Sequence, residues 1–197
     1  MAVLTTLPGW MLPATLLSLA VIAGFFVVAR GMAPAPGTGP VVTGAVKNTL
    51  ADLQPGARPP DFSATALDGG TIHLGGLRGK VVLVNFFASW CGECRVEFPD
   101  LQAAWTAHRD AGFVVVAVDA IDTGDGPGFY RQMGATFPAV RDPGRGAAPG
   151  PIAHAYGITT GLPVSVFIDR AGRVHQVYPG RIDATIIRTE LAAMGLR

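Results

Sequence analysis

The chain has 197 residues, a formal net charge of +1 and 49% hydrophobic residues. That length suits one domain plus an appendage, and the composition is ample for a buried core. A near-neutral charge without a basic run argues against nucleic acid as a partner.

The appendage is N-terminal. No charged side chain occurs before Arg30, and Thr15 and Ser18 are the only polar side chains in residues 10–29. About twenty residues at ~1.5 Å each span a ~30 Å hydrocarbon core. Trp10 and Arg30 then fall at the two interfaces, and Pro13 and Gly24 are tolerable within a membrane helix. Residues 1–30 are thus predicted to be a transmembrane anchor. The alternative is a cleaved signal peptide, whose apolar region is normally only ~7–15 residues long behind a basic start. Here the run is longer and its start has no Lys or Arg. Ala33-Pro34-Ala35 offers a small-residue cleavage site, but Pro36 follows directly. On the positive-inside rule, Arg30 puts the end that follows the segment in the cytoplasm. Residues 31–56 read as a Pro/Gly-rich linker, densest over residues 31–40. Residues 57–197 read as the folded domain.

The ordered part is predicted to open at Arg58-Pro59-Pro60-Asp61-Phe62. Phe62, Ala64 and Ala66 alternate with polar neighbours. Asp68-Gly69-Gly70 reads as a turn and Thr71-Ile72-His73-Leu74 as the returning strand. Seven of residues 81–88 are apolar, with Asn85 the exception. Such a run reads as a strand buried on both faces, in a sheet covered by helices. Both cysteines of the chain follow, in Trp90-Cys91-Gly92-Glu93-Cys94. Val96, Phe98, Leu101, Ala104 and Trp105 then recur at helical spacing, so a helix starts near Cys91 and runs out near Ala111-Gly112. Pro99 lies inside it and should kink its axis.

A dithiol therefore sits where a buried strand turns into a helix. The first helical turn carries unpaired N–H groups and the positive end of the macrodipole. A thiolate is stabilised there, which makes Cys91 a nucleophile near neutral pH, provided its sulfur is reachable. Cys94, one turn on, is placed to attack a mixed disulfide at Cys91 and release the partner. Two bland alternatives exist. Zinc needs about four ligands, and the chain offers neither a second Cys pair nor a paired His. A purely structural bridge over so short a loop restrains little of the unfolded chain. Redox chemistry is favoured over both.

Residues 113–119 form a second buried strand, giving a parallel strand–helix–strand unit. Residues 121–128 read as loop, 129–133 as a short helix and 137–140 as a short strand. Residues 141–151 are Gly/Pro-rich with no evident role. Residues 152–156 read as a helical turn. Residues 164–168 and 173–178 alternate around Asp169-Arg170-Ala171-Gly172 as an antiparallel hairpin. Residues 184–194 form a last amphipathic helix. His73, His108, His154 and His175 are scattered without metal-ligand spacing and read as structural or solvated.

The run Asn85-Phe86-Phe87-Ala88-Ser89-Trp90-Cys91-Gly92-Glu93-Cys94-Arg95-Val96-Glu97-Phe98-Pro99 resembles the thioredoxin superfamily. It is most similar to the membrane-anchored thiol–disulfide proteins of the TlpA/ResA/CcmG type, and the resemblance extends over roughly residues 57–195. It implies an α/β thioredoxin-like fold: a central mixed sheet flanked by helices, with an N-terminal hairpin and a central insertion. It places the domain outside the cytoplasm, against the weak indication of Arg30. Glu97 matches the buried glutamate of the ResA-like proteins. It lies three residues after Cys94, on one helix face, where a partly buried carboxyl can exchange protons with a thiol. Asn85 stands where cytosolic relatives carry a buried aspartate, and it cannot take a proton. Gly161-Leu162-Pro163-Val164 resembles the segment with the cis-proline that faces the dithiol. The catalytic residues so implied are Cys91, Cys94 and Glu97, and the substrate-binding residues are Trp90, Leu162 and Pro163. Val164 replaces the common threonine.

The resemblance implies protein thiol and disulfide substrates, exported proteins such as apocytochrome c during cytochrome c maturation, and a membrane electron donor. It needs no cofactor or metal beyond the redox-active Cys91–Cys94 pair. The two other readings are a disulfide oxidase or isomerase of the same fold, and a binding module that holds thiol proteins without turnover.

Overall fold

Among the described residues, eight strands and four α-helices are built from short local patterns. The computed structural model describes residues 39–46 and 49–197. The expected anchor over residues 1–30 and the linker up to residue 38 lie outside the described residues. Among the described residues no helix is long and apolar enough to cross a membrane.

Strands β1 (Val41–Thr43), β2 (Asp61–Thr65) and β3 (Thr71–His73) form a small antiparallel sheet in that order. The hairpin β2–β3 is the expected one. Strand β1 corrects the expected linker over residues 31–56: Val41 pairs with Ser63 and Leu53 is buried. Three residues are too few to show a period of two, and only pairing with β2 makes them a strand.

The main sheet holds β4 (Val81–Phe87), β5 (Phe113–Ala120), β6 (Ala139–Asp142), β7 (Val164–Ile168) and β8 (Val174–Pro179), in the order β6-β5-β4-β7-β8. Strands β4, β5 and β6 run parallel, and β7 and β8 pair antiparallel to β4 and to each other. A bridge from Ala66 to Val140 ties the small sheet to the edge strand β6. Strand β6 begins two residues later than its pattern suggested, because Phe137 is taken into an aromatic cluster instead.

Helix α1 (Gly92–His108) follows β4, α2 (Gly126–Gln132) follows β5, α3 (Pro151–Ala155) follows β6, and α4 (Ala184–Ala193) closes the chain. Helix α2 starts three residues before the expected Phe129 because Asp125 caps it, accepting from Gly128 N. After α1 a tight turn over Arg109–Ala111 ends at Gly112, whose φ of 92° is a left-handed stop that favours glycine.

Alternation along β4 divides two cores. Val82, Val84 and Phe86 face one core with Tyr156 and Ile158, while Val81, Leu83 and Phe87 face the other with Phe98 and Leu101. Asn85, Ser165 and Asp119 fall on the odd-numbered side of their strands, the side of α1. Phe98 meets Phe87, Phe129 and Phe137 with ring centroids 5.0 to 5.5 Å apart. Each such pair contributes about 0.5–1.5 kcal/mol beyond its area burial. This cluster seats α1 on the sheet and so fixes where its first turn lies.

The Gly/Pro-rich loop is anchored at its base. The buried Asp142 carboxylate accepts from Ile152 N and Ala153 N at 2.9 and 2.7 Å. A Cβ at residue 150 would collide with Asp142, so glycine is needed there.

Candidate active site

Cys91 is the N-cap of α1, with extended backbone (φ −80°, ψ 106°), and Cys94 N donates to its Sγ at 3.1 Å. The two cysteines are joined as a disulfide across a Cα separation of 5.3 Å. In the reduced protein the same N–H points at the Cys91 thiolate and, with the helix dipole, favours it. Cys94 is completely buried, and Cys91 keeps only 4% of its surface. Cys91 therefore meets solvent over a narrow window. Cys91, the cysteine expected to attack first, is the more exposed of the two.

The residues leading into Cys91 are clamped from the loop that follows β5. Ser89 N donates to Asp122 Oδ2 at 2.9 Å, and Ser89 Oγ to Asp122 Oδ1 at 2.7 Å. The Trp90 indole N–H donates to Ile121 O at 3.1 Å, yet the residue is 53% exposed. Ile121 has a φ of 55°, in the left-handed region that a β-branched residue rarely adopts. Trp90 thus presents an apolar face to solvent while its polar edge is fixed. Val96, on the next turn of α1, is also exposed. The Leu162-Pro163 peptide bond is cis, with Pro163 buried and Leu162 half-buried.

Glu97 is fully buried one turn beyond Cys94. Its Oε1 accepts from Asn85 Nδ2, and its Oε2 accepts from Ile182 N at 2.9 Å. The Asn85 amide also donates to Ser165 Oγ at 3.0 Å, and Asn85 and Ser165 are register partners on β4 and β7. Burial pushes the Glu97 carboxyl up to about 7, against the lowering pull of Ile182, Asn85 and Arg181. It is therefore poised to take or give a proton near neutral pH. Arg181 Nε also lies 3.2 Å from Glu93 Oε2, an exposed ion pair over the dipeptide between the cysteines.

Asn85 and Glu97, read separately from the sequence, form one network here. Ser165 and the Asp122 clamp were missed. The alternation of β4 and β7 could have put Asn85 and Ser165 on one side of the sheet, but nothing local marks that side as the one under α1. The strand, the helix and the carboxyl are the furniture of thioredoxin-like redox proteins, and residues 55–177 match the AhpC/TSA family.

The chain belongs to the AhpC/TSA family. It is 34% identical over 143 residues to a protein of Bacillus anthracis named thiol-disulfide oxidoreductase ResA, covering 68% of this chain and 79% of that one. The ResA protein of Bacillus subtilis is 29% identical over 136 residues, covering 68% and 73%. A solved thiol:disulfide interchange protein of the thioredoxin family from Chlorobium tepidum superposes with a TM-score of 0.58 at 28% identity, covering 72% of this chain and 97% of that one. Within the AhpC/TSA family the chain stands with the thiol–disulfide oxidoreductases of ResA type, in a thioredoxin-like fold.

Proposed function

We propose that the protein is a membrane-tethered reductant of disulfides in exported proteins, acting outside the cytoplasm, with apocytochrome c the first substrate to test. The observation that carries this reading is the buried Glu97 carboxyl, poised at about 7 one turn from Cys94. The Cys91 thiolate attacks one sulfur of the substrate disulfide and expels the other as a thiolate. Cys94 gives its proton to the Glu97 carboxylate and attacks the Cys91 sulfur of the mixed disulfide. The substrate takes two electrons and leaves as a dithiol, its two sulfurs receiving one proton from Glu97 and one from solvent, while Cys91 and Cys94, having lost those electrons, are joined as a disulfide. A membrane thiol donor then returns two electrons to the pair. Exposed Trp90 and Val96, with Leu162 and Pro163, supply an apolar lip against which an unfolded client can lie.

Direction is supported by charge. Glu93 places a carboxylate on the turn that carries the sulfurs and Glu97 a carboxyl one turn beyond, which disfavours thiolate and so lowers the reduction potential. The potential of the full chain in detergent tests the direction. A value near about −270 mV supports a reductant, and one near about −120 mV makes it an oxidase. Trapping tests turnover. Cys94→Ser should accumulate mixed disulfides through Cys91, and their absence would leave a binding module.

A further inference from the structure

Asp119 is used by nothing described so far, yet its setting is unusual. It is the penultimate residue of β5 and pairs in the parallel register with Phe87, which lies two residues before the clamped Ser89. It is buried, and its Oδ1 has no hydrogen-bond partner among the described residues. Gly126, at the start of α2, leaves the space its carboxyl fills; a Cβ there would collide with all three carboxyl atoms. Two ionisable groups face it: Asp122, three residues on, and Arg141 of the neighbouring strand β6, whose Nε lies 3.6 Å from Asp119 Oδ2. Asp125, on the α2 cap, has its carboxyl turned away to Gly128 N.

An orphaned buried carboxyl oxygen is explained if it carries a proton. Asp122 is the carboxyl that interacts with it, and the Asp122 oxygens also take the Ser89 N–H, the Ser89 hydroxyl and Gly124 N. We propose that Asp119 is a positioning residue for the thiol–disulfide reaction: it shares one proton with Asp122, and that proton holds Asp122 against Ser89, two residues before Cys91. The electrostatics agree. Burial, then the hydrogen bond and charge of Asp122, push Asp119 up to about 8. Burial also pushes Asp122 up, but donors from Ser89, Asp119 and Gly124 outweigh it and hold it below the usual carboxylate range. Once the shared proton is lost, the buried Asp119 carboxylate faces the half-buried Asp122 carboxylate, with Arg141 as the counter-charge beside them. The clamp then loosens, and with it the strained Ile121 carbonyl that holds the Trp90 indole.

The inference rests on the thiol–disulfide reading only for its consequence at Cys91, so its first test uses no activity. In the oxidised full chain no thiol titrates. With Trp10→Phe and Trp105→Phe, Trp90 is the single fluorescent reporter. Its emission should shift with a midpoint near pH 8. Glu97→Gln should leave that midpoint in place, and Asp119→Asn should abolish it. A transition that survives Asp119→Asn, or none between about pH 6 and 9, overturns the proposal. If Asp119→Asn does not fold, the infrared band of a protonated carboxyl is followed in the Glu97→Gln chain. The band should persist through neutral pH and vanish near pH 8, and a band lost by pH 5 overturns the proposal. On the reduced chain, Asp122→Asn should slow alkylation of Cys91 about tenfold, the loss expected for one charge-assisted hydrogen bond. An unchanged rate would mean the clamp does not position the nucleophile.

Discussion

The Asn85 side-chain amide donates to Glu97 Oε1, joining the buried strand β4 to the helix that carries both sulfurs. The donor is neutral at every pH, so Glu97 alone titrates in this pair. A carboxyl in place of the amide would have split one proton between two acids.

Glu97→Gln removes the proton acceptor and keeps the shape. The attack of Cys91 on a model disulfide should survive, while release by Cys94 slows about 100-fold at pH 7. Stopped-flow quenching of the mixed disulfide measures the two steps separately. Equal slowing of both would show that Glu97 does not serve Cys94.

Asn85→Asp should move the pH at which release is half-maximal upward by about one unit or more, because two carboxyls then compete for one proton. The pH profile of the release step reads this directly. An unmoved midpoint means that the contact between residues 85 and 97 does not govern the proton.

The oxidised protein should become less stable as pH rises. Folded Glu97 keeps its proton to about pH 7, whereas the unfolded group loses it near 4.5. Its contribution is thus full below about 4.5 and is lost as pH climbs through about 7, up to about 3 kcal/mol in all. Asp119, raised from 3.8 to about 8, adds a slope of the same sign. Urea unfolding between pH 4 and 8 should show the decline, and Glu97→Gln should flatten the part below pH 7. A stability that rises over this window would contradict the burial of both acids.

Asp142→Ala should release the start of α3 and the Gly/Pro-rich loop before it. Losing two backbone acceptor contacts at a helix start destabilises by about 1–2 kcal/mol. The reduction potential should not change, since Asp142 ends the edge strand β6, which β5 separates from the strand leading into the cysteines. Thermal melts and a glutathione redox titration check the two halves of this expectation.

Legibility in the sequence followed the range of the interactions. Residues 81–88, the two cysteines and the helical spacing from Val96 to Trp105 are local patterns, and each element appears where its pattern put it. The hairpin at Asp169-Arg170-Ala171-Gly172 was equally local. Strand β1 was not, because Val41 becomes a strand residue only by pairing with Ser63, twenty-two positions away. The Gly-Pro-Gly start of α2 looked like loop, and its helical state depends on the Asp125 cap and on the room Asp119 needs. At the site, Cys91, Cys94 and Glu97 were legible as a motif. The Asn85 bond and the Asp122 clamp join separate elements, so no spacing along the chain announces them.

Gly126 has a meaning for how this sequence can vary. Its missing methyl is the room that the residue-119 carboxyl occupies. Alanine at 126 becomes acceptable only beside a smaller side chain at 119, so changes at these positions should arise as pairs. A strand residue and the first residue of a helix, which share no bond, are thereby bound into one unit of inheritance.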